Sequence, residues 1–180
     1  MTAVMQLRKP QPEEVPPYFT RYVDKVVGAD VLAVLERQAA EVQALLGGLT
    51  DAQADYRYEP GKWNIHEIIG HLADAERIFV YRALAFARAD ATPLPGFEED
   101  EYVANARFAE RPLADLLNEL ASVRAATLAF FRGLNDAELS RTGTAGQRTV
   151  SVRALASVIA GHEAHHLGVI RERYLTPAGA

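Results

Sequence analysis

The sequence predicts an all-α fold, a four-helix bundle, on three observations. Four stretches repeat apolar residues at helical spacing, no stretch alternates convincingly as a strand, and neither a repeat of 20 to 50 residues nor a second composition regime divides the chain. With 180 residues, about half of them apolar, the chain can bury one substantial core. Residues 1–24 read as an N-terminal arm and 25–180 as the bundle.

Each element has its own signal. Pro10, Pro12, Pro16 and Pro17 make the first segment extended, an arm expected to wrap over the bundle. From about Asp30, Leu32, Leu35, Val42, Leu45 and Leu46 fall near helical spacing, and Gly47-Gly48 ends this first helix. The second helix opens with Asn64 as N-cap, Glu67 for a capping box, and Trp63 with Ile68 as a hydrophobic staple; it runs to about Ala89. Ala91 to Arg111 holds Pro93, Pro95, Gly96 and the acidic run Glu98 to Glu101, which reads as a long solvated loop with room for one short helical turn. A loop of that length has a job, such as covering a site or crossing the bundle. Pro112 suits the first turn of the third helix, whose stripe of Leu113, Leu116, Leu117, Leu120, Val123 and Leu128 ends near Gly133. Asn135 to Leu139 adds a short turn, and a polar connection over Thr142 to Thr149 leads to Ser151, N-cap of the fourth helix. That helix carries Leu155, Ile159, His162, His166, Val169 and Ile170 on one face. The loop between helices two and three is long enough to leave the topology open.

Composition removes several chemistries. The absence of cysteine excludes disulfides, Cys-based metal sites and a protein thiol nucleophile. A formal charge of -5 with scattered Lys and Arg makes nucleic acid an unfavourable partner. No stretch approaches a membrane span and the N-terminus does not read as a signal peptide, so the expected location is the cytoplasm, away from membranes.

His162-Glu163-Ala164-His165-His166 places two imidazoles four residues apart on one helical face, which is a metal-chelating arrangement and spells the zinc-protease signature H-E-x-x-H. The protease reading fails for want of a third ligand downstream. Gly168 comes one residue too early for the longer metzincin pattern, no histidine lies beyond His166, and Glu172 shares the same helix. His71 joins His162 and His166 as a candidate ligand, because Ile68, Ala75 and Ile78 put it on the inward side of helix two. His66, beside the cap, is expected to face water. His165 lies about 60° from His162 and about 100° from His166 on the wheel and is less well placed. Three neutral imidazoles suit a divalent transition metal such as Zn, Ni, Fe or Cu, with Mn also in range, and leave an open position for water or substrate. Gly70 and Gly161, each just before a candidate ligand, point to close helix approach or to space around the ligand. Glu163 is a candidate general base or an outer carboxylate. Arg82 and Arg173 share faces with the histidines and could bind a substrate carboxylate, ordinary salt bridges being the alternative. Asp74 and Glu76 could orient a ligand imidazole or simply solvate the helix.

Lys62-Trp63-Asn64-Ile65-His66-Glu67, Gly70-His71-Leu72-Ala73-Asp74-Ala75-Glu76-Arg77, Pro93-Leu94-Pro95-Gly96-Phe97 and Gly161-His162-Glu163-Ala164-His165-His166 together resemble the DinB/YfiT-like superfamily of candidate metalloenzymes. The resemblance covers nearly the whole chain beyond the arm. It implies a four-helix bundle holding a divalent metal, Zn or Ni foremost, on three histidines, which residue by residue look like His71, His162 and His166. It also implies thiol-dependent S-transfer or a related detoxification, with a small thiol such as mycothiol, bacillithiol or glutathione as cosubstrate of an electrophile, and a possible homodimer. The alternatives are a metal-dependent hydrolase that activates water and a non-enzymatic stress or metal-binding protein.

Overall fold

The computed structural model describes residues 6–175, so residues 1–5 of the expected arm and 176–180 of the expected bundle lie outside it. Four long helices form the bundle: α2 (Val31–Leu46), α4 (Ile65–Ala87), α6 (Leu113–Arg132) and α8 (Val152–Arg173). Short helices α1 (Pro17–Val23), α3 (Asp51–Ala54), α5 (Glu99–Asn105) and α7 (Asp136–Leu139) decorate the connections.

The capping signals are realised. Asn64 Oδ1 accepts from Glu67 N while Glu67 Oε2 accepts from Asn64 N, and Ser151 Oγ accepts from Ala154 N, so orphan donors at the starts of α4 and α8 are satisfied locally. Pro112, the N-cap of α6, has no side-chain oxygen to offer. Asp51 Oδ1 on α3 supplies one from across the chain, accepting from Leu113 N at 2.8 Å.

Packing resolves the topology. Among the long helices α4 lies against α6 and α8, and α2 lies against the same two. The consecutive helices α2 and α4 therefore sit across the bundle from each other, as do α6 and α8. The chain crosses the bundle diagonally twice, and the long connection joins the neighbours α4 and α6. The two ligand-bearing helices, α4 and α8, are neighbours.

Two expectations need correction. The arm is not uniformly extended: Pro17–Val23 is helical, with Pro17 at its first position where no N–H is required, and it packs along α8. Nearer the start the arm does wrap the bundle, since fully buried Leu7 accepts from Val31 N and donates to Asp30 Oδ1. The polar connection before α8 is a hairpin, β1 (Thr142–Ala145) antiparallel to β2 (Arg148–Ser151). Its two-residue turn has φ of 54° at Gly146 and 65° at Gln147, both in the left-handed region that a type I′ turn demands. A Gly-Gln pair is not one of the usual turn signals, and only Ala145, Val150 and Ser151 of the eight strand residues are buried, so no apolar alternation announces it. Leu94 joins the hairpin edge, donating to Thr144 O and accepting from Gly146 N, which pins the 91–98 loop beside the bundle.

Candidate metal centre

The geometry converges on one point. His71 Nε2 and His166 Nε2 each stand 3.1 Å from His162 Nε2, and the three ligand atoms lie within 4.8 Å of one another. Two nitrogens bound to one cation at about 2.0–2.1 Å stand roughly 2.8–3.0 Å apart at a right angle and roughly 3.3–3.4 Å apart at the tetrahedral angle. The two spacings to His162 fall between those values, and the remaining pair lies within 4.8 Å. A purely hydrogen-bonded core cluster accounts for it less well, because each ring nitrogen is a single donor or a single acceptor, so His162 Nε2 can satisfy one neighbour and not two. A divalent cation engages all three lone pairs, and the residues fit it.

Burial prepares these rings as ligands. It lowers the pKa of His71 to about 4. Burial first, then the neighbouring His71 and His165, lowers His166 to about 3. His162 is held well below the usual imidazole range by its full enclosure and by the His166 and His71 rings. All three are neutral at pH 7 with lone pairs free for a metal. The same depression makes the metal-free fold acid-sensitive. Unfolded histidines take up protons below about pH 6.5 while the folded ones resist until about pH 4 or 3, so stability present above 6.5 drains away as pH falls through that window. Chemical denaturation of the metal-free protein is expected to show a loss of roughly 2 kcal/mol between pH 7 and pH 5 from His71 alone.

An aromatic jacket holds the rings. Trp63 lies 4.8 Å from the His71 ring and stacks on His166 at 6.4 Å, while Tyr22 and Phe79 meet the His162 ring edge-on at 5.2 and 6.0 Å. The two glycines serve close approach. A Cβ at Gly161 would stand 1.9 Å from Tyr22 O on α1, and one at Gly70 would stand 2.3 Å from the Phe108 ring, so each admits another part of the chain against a ligand helix.

The other candidates separate. Glu163 is 2 % exposed and is turned to Arg124, whose Nη2 donates to its Oε2 at 2.8 Å, so its carboxylate is engaged by a buried guanidinium. Burial raises the Glu163 pKa, opposed by Arg124 and reinforced by Glu76. Glu76 is likewise gripped by Arg124, at 2.9 and 2.8 Å, and does not orient His71. Asp74, partly buried, pairs with Arg77 at 3.3 Å. Arg173 is exposed, stacks on Tyr58 at 5.9 Å and is absent from the cavity beside the imidazoles. His66 does not face water: it is 1 % exposed, with Nε2 3.4 Å from Asp51 O, because α3 folds over the first turn of α4. His165 is half-buried beside Tyr22 and outside the trio. Arg82 does line the cavity, a space of about 660 Å³ bordered also by His162, Tyr22 and Phe79.

One residue of the site was not anticipated. Glu99, from the acidic run read as a solvated loop, begins α5 and brings Oε2 to 4.0 Å from His71 Nε2 on the cavity wall. Burial, then the adjacent Asp100, raises its pKa.

A helical bundle carrying three converging neutral imidazoles beside a cavity defines a metal-binding helical protein. The chain belongs to the DinB superfamily, whose family model matches residues 34–170. It is 28% identical over 145 residues to a protein of Bacillus pumilus and 26% identical over 139 residues to one of Geobacillus kaustophilus, both named as candidate metal-dependent hydrolases; the alignments cover 79% and 75% of this chain and 81% and 77% of the relatives. YfiT from Bacillus subtilis, described as a probable metal-dependent hydrolase with an unusual four-helix bundle topology, superposes with a TM-score of 0.70 at 20% identity over 91% of each chain. Among the described residues no helix is long and apolar enough to cross a membrane.

Proposed function

We propose that this chain is a metal-dependent hydrolase in which His71, His162 and His166 hold the metal and Glu99 takes the proton of the attacking water. The observation that carries it is the Glu99 carboxylate 4.0 Å from His71 Nε2, on the wall of the cavity that His162 also borders. A divalent ion there supplies Lewis acidity and lowers the pKa of a nucleophile. The chain's own residues do the rest. Glu99 accepts the released proton within a short reach, α5 carries it at the rim where about half of its side chain meets water, and Trp63, Tyr22 and Phe79 keep the imidazoles dry and oriented. The names borne by the relatives favour the same class.

The test is Glu99→Gln, assayed on a panel of esters, amides and lactones with the metal-loaded protein. Turnover is expected to fall about 10²–10⁴-fold with metal content unchanged. Loss of the metal itself would make Glu99 a ligand, and unchanged turnover would remove it from the reaction.

Thiol-dependent S-transfer is the second reading. It is favoured by a cavity of about 660 Å³, which has room for a small thiol and an electrophile side by side, and by the lack of any cysteine in the chain to serve as nucleophile. Consumption of an electrophile by the loaded protein only when glutathione, mycothiol or bacillithiol is added would select it over hydrolysis.

A further inference from the structure

We infer that the cavity beside the imidazoles is an anion site in which Arg82 and Arg148 receive the carboxylate of a ligand with an apolar or aromatic body. The inference concerns the non-reacting end of the ligand and rests on the metalloenzyme reading only for what happens at the other end.

Arg82 is 6 % exposed, yet among the described residues no carboxylate lies within 4.0 Å of its guanidinium. Its one hydrogen bond goes from Nη2 to Pro95 O at 2.9 Å, and the Phe79 and Phe97 rings lie 5.8 and 5.7 Å away. Arg148, on β2, borders the same cavity; it is exposed but likewise has no carboxylate partner among the described residues, Nη1 donating to Gly146 O at 3.2 Å while the guanidinium rests over the Tyr18 ring at 4.2 Å. Each fork therefore keeps most of its five donors uncommitted. The molecule's other buried arginine behaves oppositely, since Arg124 is gripped by two carboxylates. Burying one guanidinium unpaired, and placing a second beside it, is unfavourable for the fold alone; a carboxylate between them offsets both costs. The pKa of Arg82 is lowered by burial first and by Arg148 second, which fits two uncompensated cations sharing one space.

The remaining walls set the body of the ligand. Tyr18, Phe19, Phe79 and Phe97 present rings to the cavity, and its volume suits a small organic molecule. Glu98, Glu99 and Asp100 also border it, but all three are exposed and none pairs with Arg82 or Arg148. Arg82 comes three helical turns after His71 on the same face of α4, roughly 16 Å along the axis, so a ligand anchored at Arg82 extends towards the imidazoles.

The experiment titrates the metal-loaded full chain with 3-phenylpropionate and with its neutral counterpart 3-phenylpropionamide, read by calorimetry or by amide shifts in NMR. The acid is expected to bind at least about tenfold more tightly than the amide, with affinity falling as salt rises. Arg82→Met is expected to remove that preference, and Arg148→Gln, at an exposed hairpin position that tolerates change, to weaken it several-fold should Arg82→Met not fold. His71→Ala is expected to keep carboxylate binding, so a failure of the metal reading leaves this one standing. Equal binding of acid and amide, no binding of the acid up to about 10 mM, or an acid preference that survives both arginine substitutions would overturn it.

Discussion

Arg124→Ala is expected to lower stability by about 3–5 kcal/mol, a large share of the roughly 5–15 kcal/mol that holds a domain of this size together. Arg124 is 2 % exposed and ties its own helix, α6, to the other three long helices: Nε and Nη2 donate to Glu76 on α4, Nη2 to Glu163 on α8, and Nη1 to Leu35 O on α2 at 3.0 Å. Its removal leaves two carboxylates facing each other in the core and orphans a backbone carbonyl, and the melting temperature is expected to fall by roughly 6–20 °C. The companion substitution should behave differently. Glu163 Oε1 has no hydrogen-bond partner while Oε2 takes the bond from Arg124, so Glu163→Gln keeps an acceptor for Arg124 and removes one of two like charges. Its stability is expected to stay within about 1 kcal/mol of the parent, and its activity to persist. A general base would behave otherwise: loss of activity by 10²-fold or more in a folded, metal-loaded Glu163→Gln protein would return Glu163 to the reaction.

That network shows which features were legible in the sequence and which were not. The four long helices are written in apolar periodicity and in side-chain caps, and these act locally, so the bounds of α4 and α8 follow from Asn64 with Glu67 and from Ser151. The inward faces of those helices yield His71, His162 and His166 as neighbours for the same reason. Arg124 carried a signal that periodicity could have exposed, since it comes after Leu117 and Leu120 at helical spacing and precedes Leu128, which puts a charge on the apolar stripe itself. A charge there implies buried partners, though it does not say which. Glu99 had no such signal. Its place beside His71 depends on how the 91–111 segment folds back, through Leu94 bonding to the hairpin and α5 packing on α4. Those are contacts between segments with no shared period, and single-sequence patterns do not encode them. The hairpin was hidden by the same limitation, its turn being fixed by positive φ at two residues rather than by an apolar alternation.

His71→Ala is expected to abolish metal binding at the site, with affinity falling at least 100-fold, because even outer contacts to a ligand histidine are worth 10–100-fold and this change removes a ligand outright. The informative comparison is linkage rather than metal content alone. A ligand that binds only the folded state raises stability by about 2.7 kcal/mol at 100 times its dissociation constant, so added Zn or Ni should raise the melting temperature of the parent and leave that of His71→Ala unmoved. A mere core of packed histidines predicts the reverse pattern: His71→Ala would lose packing energy whether or not metal is present, and neither protein would respond to added ion. His165→Ala supplies the control, since His165 lies 5.2 Å from the His166 ring, is half-buried and stands outside the converging trio, and it should retain the full metal response. If His71→Ala responds to metal as the parent does, the cation is held elsewhere. The 3.1 Å approaches of His71 and His166 to His162 would then need another cause, and the case for Glu99 as proton acceptor would lose its reference point.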